Sequence, residues 1–87
     1  MKSKRSRVGR TFGDVLREAR HGRKVTQEEL AGLADYGTVF ISLLENGHRQ
    51  PTISAILAFE EALGLAPGEL VKRTKIRLSG QGKRKTP

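Results

Sequence analysis

The side chains best equipped for chemistry are cations gathered at the two ends of the sequence. Lys2, Lys4, Arg5, Arg7 and Arg10 crowd residues 1–10, and Lys72, Arg73, Lys75, Arg77, Lys83, Arg84 and Lys85 crowd residues 72–87. The middle holds Arg17, Arg20, Arg23, Lys24 and Arg49 against all nine acidic residues. The formal net charge of +8 therefore belongs to the ends, and the middle is mildly acidic. Ends of this kind bind polyanions by displacing condensed counterions, which makes nucleic acid the expected partner. The plainer reading is a pair of solvated tails that keep the protein in solution.

Bond-making chemistry finds little to work with. His21 and His48 fall on different segments and there is no cysteine, so a zinc site would need both histidines together with carboxylates. Ser42 and Glu45 do not make a nucleophile and an oriented base. The ten glycines are scattered, and none of them builds a phosphate-cradling loop. No catalytic residue, metal or cofactor is expected.

The elements that must position the cations follow from periodicity. A chain of 87 residues with 36% hydrophobic content is expected to form one domain with a small core of locally packed helices. No apolar run approaches the roughly 18 residues of a membrane span. No apolar segment follows the basic start as a signal peptide would require, so a cytoplasmic location is expected. Residues 1–10 are expected to be a flexible basic arm. Thr11 can cap a first helix with Asp14 in its first turn, Phe12, Leu16 and Ala19 on the inner side with Val15 on the flank, and an end at Gly22. Thr26-Gln27-Glu28-Glu29 is a capping box that opens a second helix with Leu30, Ala31 and Ala34 inward. Gly37 either caps the next helix or takes a positive φ. The third helix, Thr38 to Glu45, turns Phe40, Ile41 and Leu44 to one face and Thr38, Val39, Ser42 and Leu43 to the other, and Asn46-Gly47 stops it. Thr52 caps a fourth helix with Ile53, Ile56, Leu57 and Leu63 inward. Pro67 opens a short fifth helix that ends near Val71. Residues 73–87 read as a basic tail, with an alternation at 74–78 resembling a short strand.

Two short helices joined by a glycine-containing turn make a helix-turn-helix unit. The strings that surround it are more specific: Thr26-Gln27-Glu28-Glu29-Leu30-Ala31, Ile41-Ser42, Leu44-Glu45-Asn46-Gly47, then Arg49 and Pro51-Thr52. With Phe12-Gly13-Asp14, Leu16-Arg17-Glu18-Ala19-Arg20, Ala62-Leu63-Gly64 and Glu69-Leu70, these resemble the phage-repressor, Cro-like family, often called the Xre family. The resemblance runs from Phe12 to Val71. It implies an all-α, compact five-helix bundle over residues 11–72, usually dimeric, that binds double-stranded DNA with its third helix in the major groove.

Carried over by position, Thr26 and Gln27 would meet a phosphate at the start of the second helix. Thr38, Val39, Ser42 and Leu43 would face base edges, and Asn46, His48 and Arg49 would meet the backbone beyond the third helix. Arg20 and Glu45 match a structural salt bridge of the family. Arg5, Arg7 and Arg10, just before the first helix, are close enough to follow a groove, as basic arms do in other DNA-binding folds.

Strong base readout uses Arg, Lys, Asn or Gln, and the outward face of the third helix has none. The expectation is a preference for thymine-rich or deformable sites, with grip supplied by phosphates and the arms. Three departures from the family pattern stand out. Lys24 occupies a position where glycine is favoured, which predicts a turn reshaped around Gly22. Ala66 replaces a capping serine. Glu60, near the inner edge of the fourth helix, is expected to reach solvent or an arginine. The expected activity is transcriptional regulation by repression, as a homodimer paired through Leu65, Leu70 and the segment Ile76 to Leu78. The competing expectation is an antitoxin-like or adaptor module that holds a protein partner through Val39 and Leu43.

Overall fold

A computed structural model describes residues 6–82. Five helices follow one another: α1 (Arg7–Gly22), α2 (Gln27–Ala34), α3 (Thr38–Glu45), α4 (Ile53–Ala62) and α5 (Glu69–Gly82). No strand occurs among the described residues, and no helix there is long and apolar enough to cross a membrane.

The first helix begins four residues before the expected Thr11. Ser6 caps it, its hydroxyl accepting from the Gly9 amide at 2.9 Å. Thr11 lies buried inside the helix, and Arg7 and Arg10 ride on α1 rather than on a loose arm. Tertiary packing extends it: Gln50, in the loop after α3, donates to the Ser6 hydroxyl at 3.0 Å. Gly13 faces the backbone of Leu44 and Glu45 so closely that a Cβ there would sit 2.4 Å from the Leu44 carbonyl oxygen. That absence of a side chain lets α1 cross directly over the end of α3.

Lys24 itself takes the left-handed conformation with φ 57°, so the α1–α2 turn is not rebuilt around Gly22. Asp35 does the same at the end of α2, with φ 62°, while Gly37 caps α3 with an extended φ of −76°. The end of α3 is turned by Gly47, with φ 78°.

The core joins Phe12, Val15, Leu16 and Ala19 of α1 to Leu30, Ala31 and Ala34 of α2, Ile41 and Leu44 of α3, and Ala55, Ile56 and Phe59 of α4; Leu63 and Leu70 close it. The inner face of α4 is therefore rotated from the expected one. Ile53 and Leu57 are 71% and 51% exposed, and Phe59 and Glu60 are buried in their place. Glu60 reaches neither solvent nor an arginine: its two carboxylate oxygens accept the amides of Gly68 and Leu70, each at 2.9 Å. It thereby caps α5 from a different helix, which compensates for Ala66 where a serine cap is missing.

The fifth helix does not stop near Val71, and the 74–78 segment is helical rather than extended. Packing against α1 carries it on. Thr74 is buried with its hydroxyl donating to the Leu70 carbonyl, Arg77 pairs with Glu18, and Arg7 donates to the Leu78 carbonyl at 3.0 Å. Leu70 is fully enclosed in the core and cannot serve as a dimer contact; Ile76 is exposed and Leu65 half-buried.

Candidate nucleic-acid interface

The geometry of the α2–α3 unit is organised around one buried carboxylate. Glu45, 2% exposed, accepts from Arg20 Nε at 2.7 Å and from Arg20 Nη2 at 3.0 Å, a two-pronged bond that joins α3 to α1. Gln27 Nε2 donates to the same carboxylate at 3.0 Å, which ties the first residue of α2 into the contact. Arg20 Nη1 also donates to the Val25 carbonyl at 2.9 Å, fixing the turn before α2. Arg17 adds a bond to the Glu45 backbone carbonyl at 2.8 Å. Burial pushes the Glu45 carboxyl up, but the bonds from Arg20 and Gln27 and the charges of Arg20 and Arg17 outweigh it and hold the group below its usual range. The bond that Arg20 donates to Glu45 raises the arginine in turn, so both partners stay charged.

Around this anchor the remaining residues take their places. The capping box at the start of α2 is complete: Thr26 Oγ1 accepts from the Glu29 amide at 3.0 Å and Glu29 Oε1 accepts from the Thr26 amide at 2.8 Å. Along α3, Val39 stands 73% exposed, while Thr38, Ser42 and Leu43 are half-buried beside it. Asn46 folds its amide back onto the helix, donating to the Ser42 carbonyl at 2.9 Å and to its hydroxyl at 3.4 Å. His48 and Arg49 are exposed in the following loop. The Arg49 guanidinium lies over the Phe40 ring, 5.7 Å from its centroid. Phe40 stacks on Tyr36 at 5.4 Å, and Tyr36 leans on Phe59 at 5.5 Å, a line of rings running from the core to the loop.

The three arginines expected to work together are separated. Arg10 packs beside Gly47 and shares a polar cleft with Asp14, Arg17, Glu45 and Asn46, next to the end of α3. Arg7 is drawn instead to the end of α5, and Arg5 lies outside the described residues. The tail cations Lys83, Arg84 and Lys85 lie outside them as well. Arg17 and Gln50 are the residues that sequence reasoning passed over. Arg17 had a signal, since it stands one helical turn before Arg20 on the same face. Gln50 had none, because its partner Ser6 is distant in sequence.

Residues 11–73 match the model of a family described as a helix-turn-helix domain. An uncharacterized HTH-type transcriptional regulator of Sinorhizobium fredii, y4dJ, is 34% identical over 70 residues, 80% of this chain and 86% of that protein. Among solved structures, the restriction-modification controller protein C.AhdI from Aeromonas hydrophila superimposes with a TM-score of 0.68 at 34% identity, covering 70% of this chain and 92% of its own. The clp gene regulator ClgR from Corynebacterium glutamicum shares the fold with a TM-score of 0.80 at 22% identity, covering 88% and 82%.

Proposed function

The chain belongs to the helix-turn-helix domain family, of the phage-repressor, Cro-like kind, and we propose that it regulates transcription by binding double-stranded DNA with α3 in the major groove. The observation that carries this reading is the Glu45 anchor. It locks the start of α2, the end of α3 and α1 into one rigid piece, so the surface from Gln27 through Thr38, Val39, Ser42 and Leu43 to Arg49 meets a duplex pre-shaped. The amide end of α2 and the cations Arg10 and Arg49 flank that surface, where phosphates would run. Titration with duplex DNA at low ionic strength, followed residue by residue by amide chemical shifts, should move Gln27, the first turns of α3 and Arg49. Shifts confined to the opposite face, α4 and α5, would refute the assignment.

Repression follows from occupancy: a protein lying in the groove denies the same base pairs to a polymerase. A homodimer on a two-fold site would double the small interface of one module. Exposed Ile53 and Leu57 on α4, with half-buried Leu65 and exposed Pro67 beside Leu57, offer an apolar surface for pairing in place of the enclosed Leu70. Sedimentation equilibrium that shows only monomer at high protein concentration would remove the dimer. The adaptor reading draws on the same exposure of Val39; tight co-purification of a protein partner without duplex binding at low salt would select it.

A further inference from the structure

Of the seven large apolar side chains left exposed among the described residues, Val39 is the barest, and it occupies the second position of α3. In a groove-bound helix that is the end whose side chains reach the base edges. Its neighbours narrow what it can read. Thr38 and Ser42 carry only short hydroxyls, Leu43 is aliphatic, and the Asn46 amide is turned back onto Ser42. No long, forked donor or acceptor projects from this face, so two-bond recognition of guanine or adenine has no residue to perform it. The major groove presents an aliphatic side chain with one matching group, the methyl on C5 of a pyrimidine. Thymine carries it always, and cytosine carries it when methylated. Charge favours a duplex over an apolar protein surface as the occupant: the two ends of the chain carry its net +8, and Arg49, in the loop after α3, is held over Phe40 beside this face.

We infer that Val39, with Leu43 one turn behind it, reads the C5-methyl of a major-groove pyrimidine, so that methylated pyrimidines are preferred to unmethylated ones. This rests on the duplex-binding reading above and adds to it the chemical group recognised. Burying one methyl against another apolar group gives about a fourfold gain in affinity. The contact needs no hydrogen bond and no bend in the DNA.

Four probes isolate the methyl: an alternating adenine–thymine duplex, the same duplex with uracil for thymine, an alternating guanine–cytosine duplex, and the same duplex with 5-methylcytosine. Each pair has identical charge and base-pairing edges. Wild-type protein should bind each methylated member about fourfold more tightly than its unmethylated partner. Val39→Ala, a change at an exposed position, should shrink the discrimination within each pair, leaving the share of Leu43 and the alanine methyl, while keeping the wild-type dependence on salt. Discrimination within the thymine pair alone assigns thymine as the source of the methyl; discrimination within both assigns the methyl itself. Equal binding across both pairs, or discrimination undiminished by Val39→Ala, overturns the inference alone. Absence of binding to all four duplexes at low salt overturns the duplex-binding reading first.

Discussion

Gly13 marks the closest approach of α1 to α3, and alanine at this position puts a number on how rigid the crossing is. The added Cβ would stand 2.4 Å from the Leu44 carbonyl oxygen and 2.7 Å from that of Glu45. Both are backbone atoms at the end of a helix, so no side chain can swing aside. Restoring van der Waals contact requires the helices to part by about 1 Å. Overpacking of this kind costs roughly 1–3 kcal/mol. Parting also stretches the Arg17 bond to the Glu45 carbonyl, which contributes about 1 kcal/mol. Alanine returns about 0.5–1 kcal/mol through its better helix propensity. The net is a loss of about 2 kcal/mol, or a fall in Tm of roughly 8–16 °C for a domain of this size. Gly32→Ala supplies the control: it lies in α2 with nothing within 4 Å of the new methyl, so only the propensity gain of about 0.5–1 kcal/mol remains. Thermal and urea denaturation followed by circular dichroism should therefore move the two variants in opposite directions. A Gly13→Ala protein that melts at or above the wild type would refute the close crossing.

Four further outcomes follow from the structure. Glu45→Gln leaves the buried Arg20 without its carboxylate and should cost about 3–5 kcal/mol in denaturant unfolding. Because the Glu45 carboxyl is held below its usual range when folded, its stabilisation is present above the unfolded carboxylate range and is lost as pH falls through the lowered value. Glu18, lowered by its bond from Arg77, acts in the same direction. Stability measured against pH should decline on the acid side, and less steeply in Glu45→Gln. Lys24→Gly relieves a left-handed residue at the α1–α2 turn and should raise the urea midpoint, gaining about 0.5–1 kcal/mol once the added freedom of glycine in the unfolded chain is subtracted. Arg49→Ala should weaken binding to every duplex alike and reduce the slope of log affinity against log salt by about 1.

What was legible in the sequence and what was not divides along the range of the interactions. The starts of α2 and α4 and the stop of α3 rest on groups a few residues apart: Thr26 with Glu29, Thr52 with the Ala55 amide, and the Asn46-Gly47 pair. Such contacts are written in local sequence, and so is the periodicity of α3. Apart from the turn at Lys24, where a local left-handed residue decides, the errors lie where a distant partner decides. A basic stretch without apolar periodicity became the first turn of α1 because Ser6 finds Gln50. Residues 74–78 became helix because α1 supplies Glu18 and Arg7. The inner face of α4 was assigned from its branched aliphatic residues, yet Glu60 belongs there because the start of α5 has no local cap and needs a carboxylate. The missing serine at Ala66 and the buried Glu60 are two sides of the same cap. Within the interface, Glu45 with Arg20 could be read from the family pattern, while the bond from Arg7 to the Leu78 carbonyl of α5 could not.

The line of rings from Phe59 through Tyr36 to Phe40 carries a practical consequence. Tyr36 is the single tyrosine of a chain with no tryptophan, so emission excited in the tyrosine band, beyond phenylalanine absorption, comes from one fluorophore. That fluorophore touches the core on one side and, through Phe40, the Arg49 loop on the other. The molecule is thus labelled by its own composition, and one optical channel follows both the melting of the interior and any movement of the loop cation.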